Sequence, residues 1–129
     1  MSNTLYRVIQ RVKGRIIPTV LNKTANYTVK ADEALYGTVV SNIGATGEVI
    51  FSLPAAVPGM RVNAIVQSPQ LLTLDPVDGD IIHGIAGVAQ TEDVAIKANA
   101  VGETVQLVCL VTGKWYVAAY TGTWTVTAA

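Results

Sequence analysis

Apolar and polar positions alternate with a period of two along much of the chain, which is the spacing of a half-buried β-strand. Val49, Phe51 and Leu53 alternate with Glu48 and Ser52. Met60, Val62, Ala64 and Val66 then alternate with Arg61, Asn63 and Gln67. Shorter runs over 27–30, 37–42, 71–74, 81–85, 93–98 and 124–127 read the same way. Pro54, Pro58-Gly59 and the turn Asp75-Pro-Val-Asp-Gly-Asp80 punctuate them. Proline cannot donate to a ladder, and Asp-Gly favours tight turns. Beyond residue 30 the pattern predicts no helix except one turn near 32–35. Eight to ten short strands at spacings of about 10 residues predict an all-β body. The expected form is a compact antiparallel β-sandwich, jelly-roll-like, or a small barrel.

The longest pattern runs from Glu103 to Trp124 and predicts two strands, Thr104–Val111 and Lys114–Thr121, folded back on each other at Thr112-Gly113. Glycine supplies the positive φ that a short hairpin turn requires. Val105, Leu107, Cys109 and Val111 share one face, with Trp115, Val117 and Ala119 on the return strand. The other face begins polar, with Thr104 and Gln106, and then carries Val108, Leu110, Tyr116, Ala118 and Tyr120. A hairpin with one wet face alternates more cleanly than this. Cover from a second copy of the chain is therefore expected over Val108, Leu110, Tyr116 and Tyr120, and a homotrimer is the expected assembly. A closed ring of that kind also hides strand edges.

The chain has 129 residues, half of them apolar and 14% charged. That is enough for one core and too hydrophobic for disorder. No apolar run approaches the ~18 residues that span a membrane, and 1–4 lacks the features of a signal peptide. The net charge is zero but unevenly spread. Arg7, Arg11, Lys13, Arg15, Lys23 and Lys30 precede the first acid, giving +6, while Arg61, Lys97 and Lys114 face nine acids afterwards, 3 − 9 = −6. A basic segment on an acidic body invites an acidic partner, or pairs with its own body. Its single aromatic, Tyr6, leaves a nucleic-acid reading without stacking platforms.

The chain divides into a basic arm, 1–24, and a body, 25–129. Leu5, Val8, Ile9 and Val12 fit helical spacing. The β-branched residues and Lys13-Gly14 instead favour an extended arm or a hairpin, with Pro18 on an edge strand.

Candidate chemistry is sparse. His83 is the only histidine, so any nucleophilic triad would have to use it, and it sits mid-strand. Asp75, Asp78 and Asp80 resemble a calcium loop loosely, without the bidentate Glu of an EF-hand. Glu48, Glu92 and Glu103 are scattered, and no glycine-rich phosphate cradle occurs. The lone Cys109 reads as a small buried hydrophobe. No enzyme activity and no cofactor or metal is expected.

Several motifs resemble a recurrent class of tailed-bacteriophage virion proteins. They are Gly47-Glu-Val-Ile-Phe-Ser-Leu-Pro54, Pro58-Gly-Met-Arg-Val62, Asp78-Gly-Asp-Ile-Ile82, Val105-Gln-Leu-Val-Cys109, Gly113-Lys-Trp-Tyr116 and Gly122-Thr-Trp124. Each is strand-and-turn grammar, and their order and spacing over about 36–124 carry the resemblance. It implies a structural protein of the capsid decoration (cement), head-fibre or tail-fibre type, commonly trimeric. A short chain without a shaft, carrying a basic arm, favours decoration of the outer capsid surface after synthesis in the host cytoplasm. The partner is then the major capsid protein, with no nucleic acid and no membrane involved. The arm residues expected to bind it are Leu5, Arg7, Val8, Ile9, Arg11, Val12, Lys13, Arg15, Ile16 and Ile17. The alternative is a tail-fibre or head-fibre module binding host glycan on Trp115, Tyr116, Tyr120 and Trp124. For those four aromatics, core and subunit packing is the simpler reading.

Overall fold

The computed structural model describes residues 18–85 and 92–128. Within the described residues, eleven strands and one short helix follow each other as β1 Thr19–Asn22, β2 Tyr27–Thr28, α1 Ala31–Leu35, β3 Thr38–Ser41, β4 Val49–Ser52, β5 Arg61–Ile65, β6 Leu72–Asp75, β7 Ile81–His83, β8 Val94–Ala98, β9 Thr104–Val111, β10 Lys114–Thr121 and β11 Thr125–Ala128. They form two sheets. The first has the order β1-β3-β5-β9-β10-β7 and the second β11-β8-β6-β4-β2. The expected all-β, two-sheet body is what the chain forms.

The chain changes sheet at every step from β1 to β8, so successive strands of one sheet are separated by a strand of the other. In consequence β1, β3 and β5 pair in parallel, as do β2, β4 and β6. The sheets are therefore mixed rather than wholly antiparallel. Antiparallel pairing is confined to β5–β9, β9–β10, β6–β8 and β8–β11. Partners lie 38 − 19 = 19 residues apart between β1 and β3, and 51 − 27 = 24 apart between β2 and β4. Each pair of strands is thus one coil of a short solenoid, closed by the antiparallel hairpin.

Alternation along each strand fills the space between the sheets. Leu21, Val40, Ala64 and Val105 are neighbours across the first sheet, and all are buried. Tyr27, Phe51, Leu74, Ile96 and Val126 form the facing type of row in the second. These rows, with Trp115, Leu53 and Met60, make one core. A fully buried side chain of the size of Phe51 contributes about 2–3 kcal/mol.

The corners between sheets are held by side chains that accept backbone N–H groups. Asn42 is fully buried; its Oδ1 accepts from Gln67 N at 2.8 Å and Ser68 N at 3.0 Å, and its Nδ2 donates to the carbonyls of Ser68 and Gln70. Asp80 accepts from Ala56 N at 2.9 Å, and Asn26 from Ile50 N at 2.9 Å. In α1 the buried Glu33 accepts from Lys30 N and from the Tyr27 hydroxyl. Glu103 accepts from Ala100 N and Thr123 N, which lowers its pKa below the usual carboxylate value. Gly122, at φ 82°, packs its Cα against that carboxylate, where any Cβ would collide.

Asn42→Ala leaves the buried Ser68 N–H and the part-buried Gln67 N–H without an acceptor, and the Ser68 and Gln70 carbonyls without a donor. It is expected to cost about 2–4 kcal/mol, read as a lower urea midpoint with an unchanged slope.

Candidate functional site

The hairpin forms over the expected residues, and Gly113 takes φ 81° at its turn. Two register slips shape its faces. Lys114 faces Val111 but Trp115 faces Cys109, so Leu110 is an extra residue. Val117 faces Leu107 but Ala119 faces Gln106, so Ala118 is a second. An extra residue inverts the alternation beyond it. Tyr120 consequently stands opposite Val105, in line with the core-facing row but 39% exposed at the end of the strand, and not with Val108 and Tyr116 as the uninterrupted pattern predicts. Ala119 moves to the outer side, opposite Gln106. Val111, expected inward, is 48% exposed at the tip.

The outer face of the first sheet is then built from two cross-strand rows. One runs Arg61, Val108, Tyr116, His83 across β5, β9, β10 and β7. In it the Tyr116 and His83 rings stack, with centroids 5.0 Å apart and planes 13° apart. The other runs Val20, Val39, Asn63, Gln106, Ala119. Leu110 projects beside the first row and is 62% exposed, and Val57 is exposed at the same end. Backbone bonds from Gly59 N to Cys109 O and from Gly113 N to Ala56 O hold that end together. Two hollows lie on this face. One of about 580 Å³ lies between Pro58, Asn63, Gln106, Val108 and Leu110. The other, about 230 Å³, lies among Pro18, Leu35, Tyr36, Arg61 and Asn63. Arg61 and Asn63 line both.

The second sheet presents the opposite character. Its outer rows are Ile50, Thr73, Lys97, Thr125 and Thr28, Ser52, Asp75. Only one of these seven residues is a large hydrocarbon, whereas the first sheet exposes Val, Leu and Tyr side chains across four strands.

Trp115 is fully buried, and Trp124 is 5% exposed with its indole N–H bonded to the carbonyls of Thr104 and Thr121. Neither is a platform for a sugar ring. Cys109 is buried, its thiol directed to the Val111 carbonyl, and burial pushes its pKa up. His83 lies in β7 against Tyr116. Among the described residues, no group of three metal-ligating side chains comes together. Asp80 is engaged by Ala56 N and Asp93 by Gly79 N at 2.7 Å. Asp75 has a buried oxygen without a hydrogen-bond partner, and its pKa is raised, first by burial and then by Asp78 and Asp93. No helix among the described residues is long and apolar enough to cross a membrane.

Of the arm, residues 18–24 are described. Thr19–Asn22, expected within the arm, pair in parallel with β3 as the edge strand of the first sheet. Lys23 places its ammonium 4.2 Å from the Tyr27 ring centre. The expected capsid-binding residues Leu5, Arg7, Val8, Ile9, Arg11, Val12, Lys13, Arg15, Ile16 and Ile17 lie outside the described residues, as does Glu92-preceding segment 86–91. Comparison with protein-family models, with curated proteins and with solved structures finds no match.

Two outcomes are expected. Cys109 should label slowly with a thiol reagent in native buffer and rapidly in denaturant, because a buried thiol with a raised pKa offers little thiolate. Asp75→Asn should raise stability at neutral pH. The raised pKa means that the charged form is penalised above the folded value, so the gain should shrink as pH falls through it. Urea midpoints of both proteins across the acid range check the sign.

Proposed function

We propose that the protein decorates the outside of a tailed-bacteriophage capsid as a homotrimer and reinforces the shell. It is a structural part of the virion without catalysis. The observation that carries this reading is the contrast between the two outer faces. One sheet carries Thr28, Ser52, Lys97 and Thr125 on its outer rows, with Ile50 the one large hydrocarbon among them. The other turns Val20, Val108, Leu110 and Tyr116 outward, with Arg61, Asn63 and Gln106 among them. Val20 and Leu110 are exposed there and Val108 and Tyr116 half-buried, and exposed hydrocarbon gathered on one face is a mark of an interaction surface. Val108, Leu110 and Tyr116 supply the contact between copies. Tyr120, on the other side of the sheet, does not belong to it. The motif order supports placement among virion proteins.

The basic segment ahead of β1 supplies attachment to the major capsid protein. Charge speeds and orients docking, and apolar burial holds it. Three such segments on one trimer act as linked ligands, so modest affinity per arm becomes firm attachment. The glycan-binding fibre module is the weaker reading, since two of its four aromatic platforms are buried.

Light scattering should give a trimer of the 13.6 kDa chain, and Leu110→Asp with Val108→Asp should give a folded monomer. Deletion of residues 1–17, which spares β1, should leave a trimer that no longer coats shells. Arg7, Arg11 and Arg15 changed to Glu should weaken coating most at low salt, where charge is least screened. A wild-type monomer at micromolar concentration would end the trimer reading. Equal coating by full-length and truncated protein would end the anchoring role of the arm.

A further inference from the structure

We infer that the Asp75–Pro76 bond is a self-cleavage site, at which the Asp75 carboxyl attacks its own main-chain carbonyl and divides the chain into 1–75 and 76–129 in mildly acid solution. The event is a single turnover within one chain, and it stands independently of the decoration reading.

Asp75–Pro76 is the only Asp-Pro bond in the sequence. Three features meet at it. The first is the carboxyl. Its Oδ1 is buried and has no hydrogen-bond partner among the described residues. Glu33, Asp80, Asp93 and Glu103, in contrast, each hold a backbone N–H. A buried oxygen that caps nothing calls for a reason, and an uncommitted carboxyl oxygen is a nucleophile. The second is the carbonyl of the bond itself, which accepts from Leu53 N at 2.8 Å. Leu53 and Pro76 are both buried, so that donor is shielded from water. The third is the leaving nitrogen. Proline forms a tertiary amide without an N–H, and such a nitrogen takes a proton more readily than a secondary amide does.

The surroundings of Asp75 keep its proton on to a higher pH than usual. Burial raises its pKa first, then Asp78 in the following turn and Asp93 ahead of β8. β4 places Ser52 beside it, and on β8 Lys97 faces Thr73, two residues earlier. In the protonated state the carboxyl carries both reagents the reaction needs. Its proton passes to the Pro76 nitrogen, and its oxygen bonds to the Asp75 main-chain carbon. Negative charge develops on the carbonyl oxygen, where the Leu53 N–H already points. The C–N bond then breaks, and its electron pair stays on Pro76, which becomes a new amino terminus. Asp75 is left as a five-membered anhydride, and one water opens it to a C-terminal aspartate. The net change is the addition of one water, with no oxidation or reduction. Ladders cross the break, β5 with β9 and β6 with β8, so the two pieces stay together in the folded molecule.

The test follows the full-length protein in buffers from neutral to mildly acid, at each pH where circular dichroism shows it folded. Samples are unfolded before mass spectrometry. Two fragments, 1–75 and 76–129, are expected, with masses that sum to the intact chain plus one water. Before unfolding, light scattering should show no change in particle size. Cleavage of the folded protein should run about tenfold faster than that of the same chain held in urea at the same pH, because the fold sets the carbonyl, its donor and the proton in place. It should also begin at a higher pH, because the carboxyl is protonated earlier there than in the open chain. Asp75→Asn removes the acid and should stay intact, and Pro76→Ala keeps the acid and should be cut far more slowly. Equal or slower cleavage of the folded wild type than of the urea-unfolded chain overturns the inference. So does a cut at another bond, or cleavage of either variant at the wild-type rate.

Discussion

The fold depends on satisfying backbone N–H groups wherever the chain turns from one sheet to the other. A strand finds its bonds in its own ladder, but a buried corner has none, and a buried N–H without an acceptor costs about 1–3 kcal/mol. A chain that changes sheet at every step from β1 to β8 meets this cost repeatedly. Where the corner is buried it is met by a polar side chain, Asn42 on Ser68 and Asp80 on Ala56; at the more open corners Asn42 on Gln67, Glu33 on Lys30 and Asn26 on Ile50 fix the path of the chain. Glu103 does the same for two segments at once, Ala100 and Thr123. These bonds make the stacking of parallel coils possible in a chain of this size.

The same requirement accounts for the fate of the acids. Glu33, Asp80, Asp93 and Glu103 each accept a backbone N–H, and Glu48 accepts from the Thr73 hydroxyl. Carboxylates committed in this way are held as caps and do not converge on a common point. Among the described residues the outer face of the first sheet carries one guanidinium, that of Arg61.

Much of this was legible in the sequence, for reasons that differ by element. Val49, Phe51 and Leu53, or Met60, Val62 and Ala64, announce their burial because period-two alternation is a local property. The hairpin was equally legible, since its turn and both strands are contiguous. Pairing direction was not. Whether β3 lies beside β1 or β4 depends on which sheet each joins, and no local pattern encodes that choice. The faces of the hairpin depart from strict alternation at Val111, Ala119 and Tyr120, because the extra residues are Leu110 and Ala118, whose side chains give no sign of a bulge. Thr19–Asn22 was assigned to the arm because its neighbours are basic, whereas membership of the sheet comes from pairing with β3. Arg61 was visible only as the polar half of an alternating strand. Its place between two hollows follows from β1 and β9 lying on either side of the β3–β5 pair.

The alternation between sheets also sets the order in which the molecule can assemble. Only one long pairing, β9 with β10, joins neighbouring segments across a two-residue turn. The parallel pairings instead close loops of 38 − 19 = 19 residues between β1 and β3 up to 114 − 81 = 33 between β7 and β10 before a single ladder bond rewards them, and a coil is stable only when the next one covers it. The hairpin, with Trp115 and Cys109 already side by side, is the natural nucleus. β5 joins its free edge at β9, then β3 and finally β1 add outward in turn. The last strand of the first sheet to be secured is thus β1 at its edge, so that end of the sheet is completed after the hairpin that starts it.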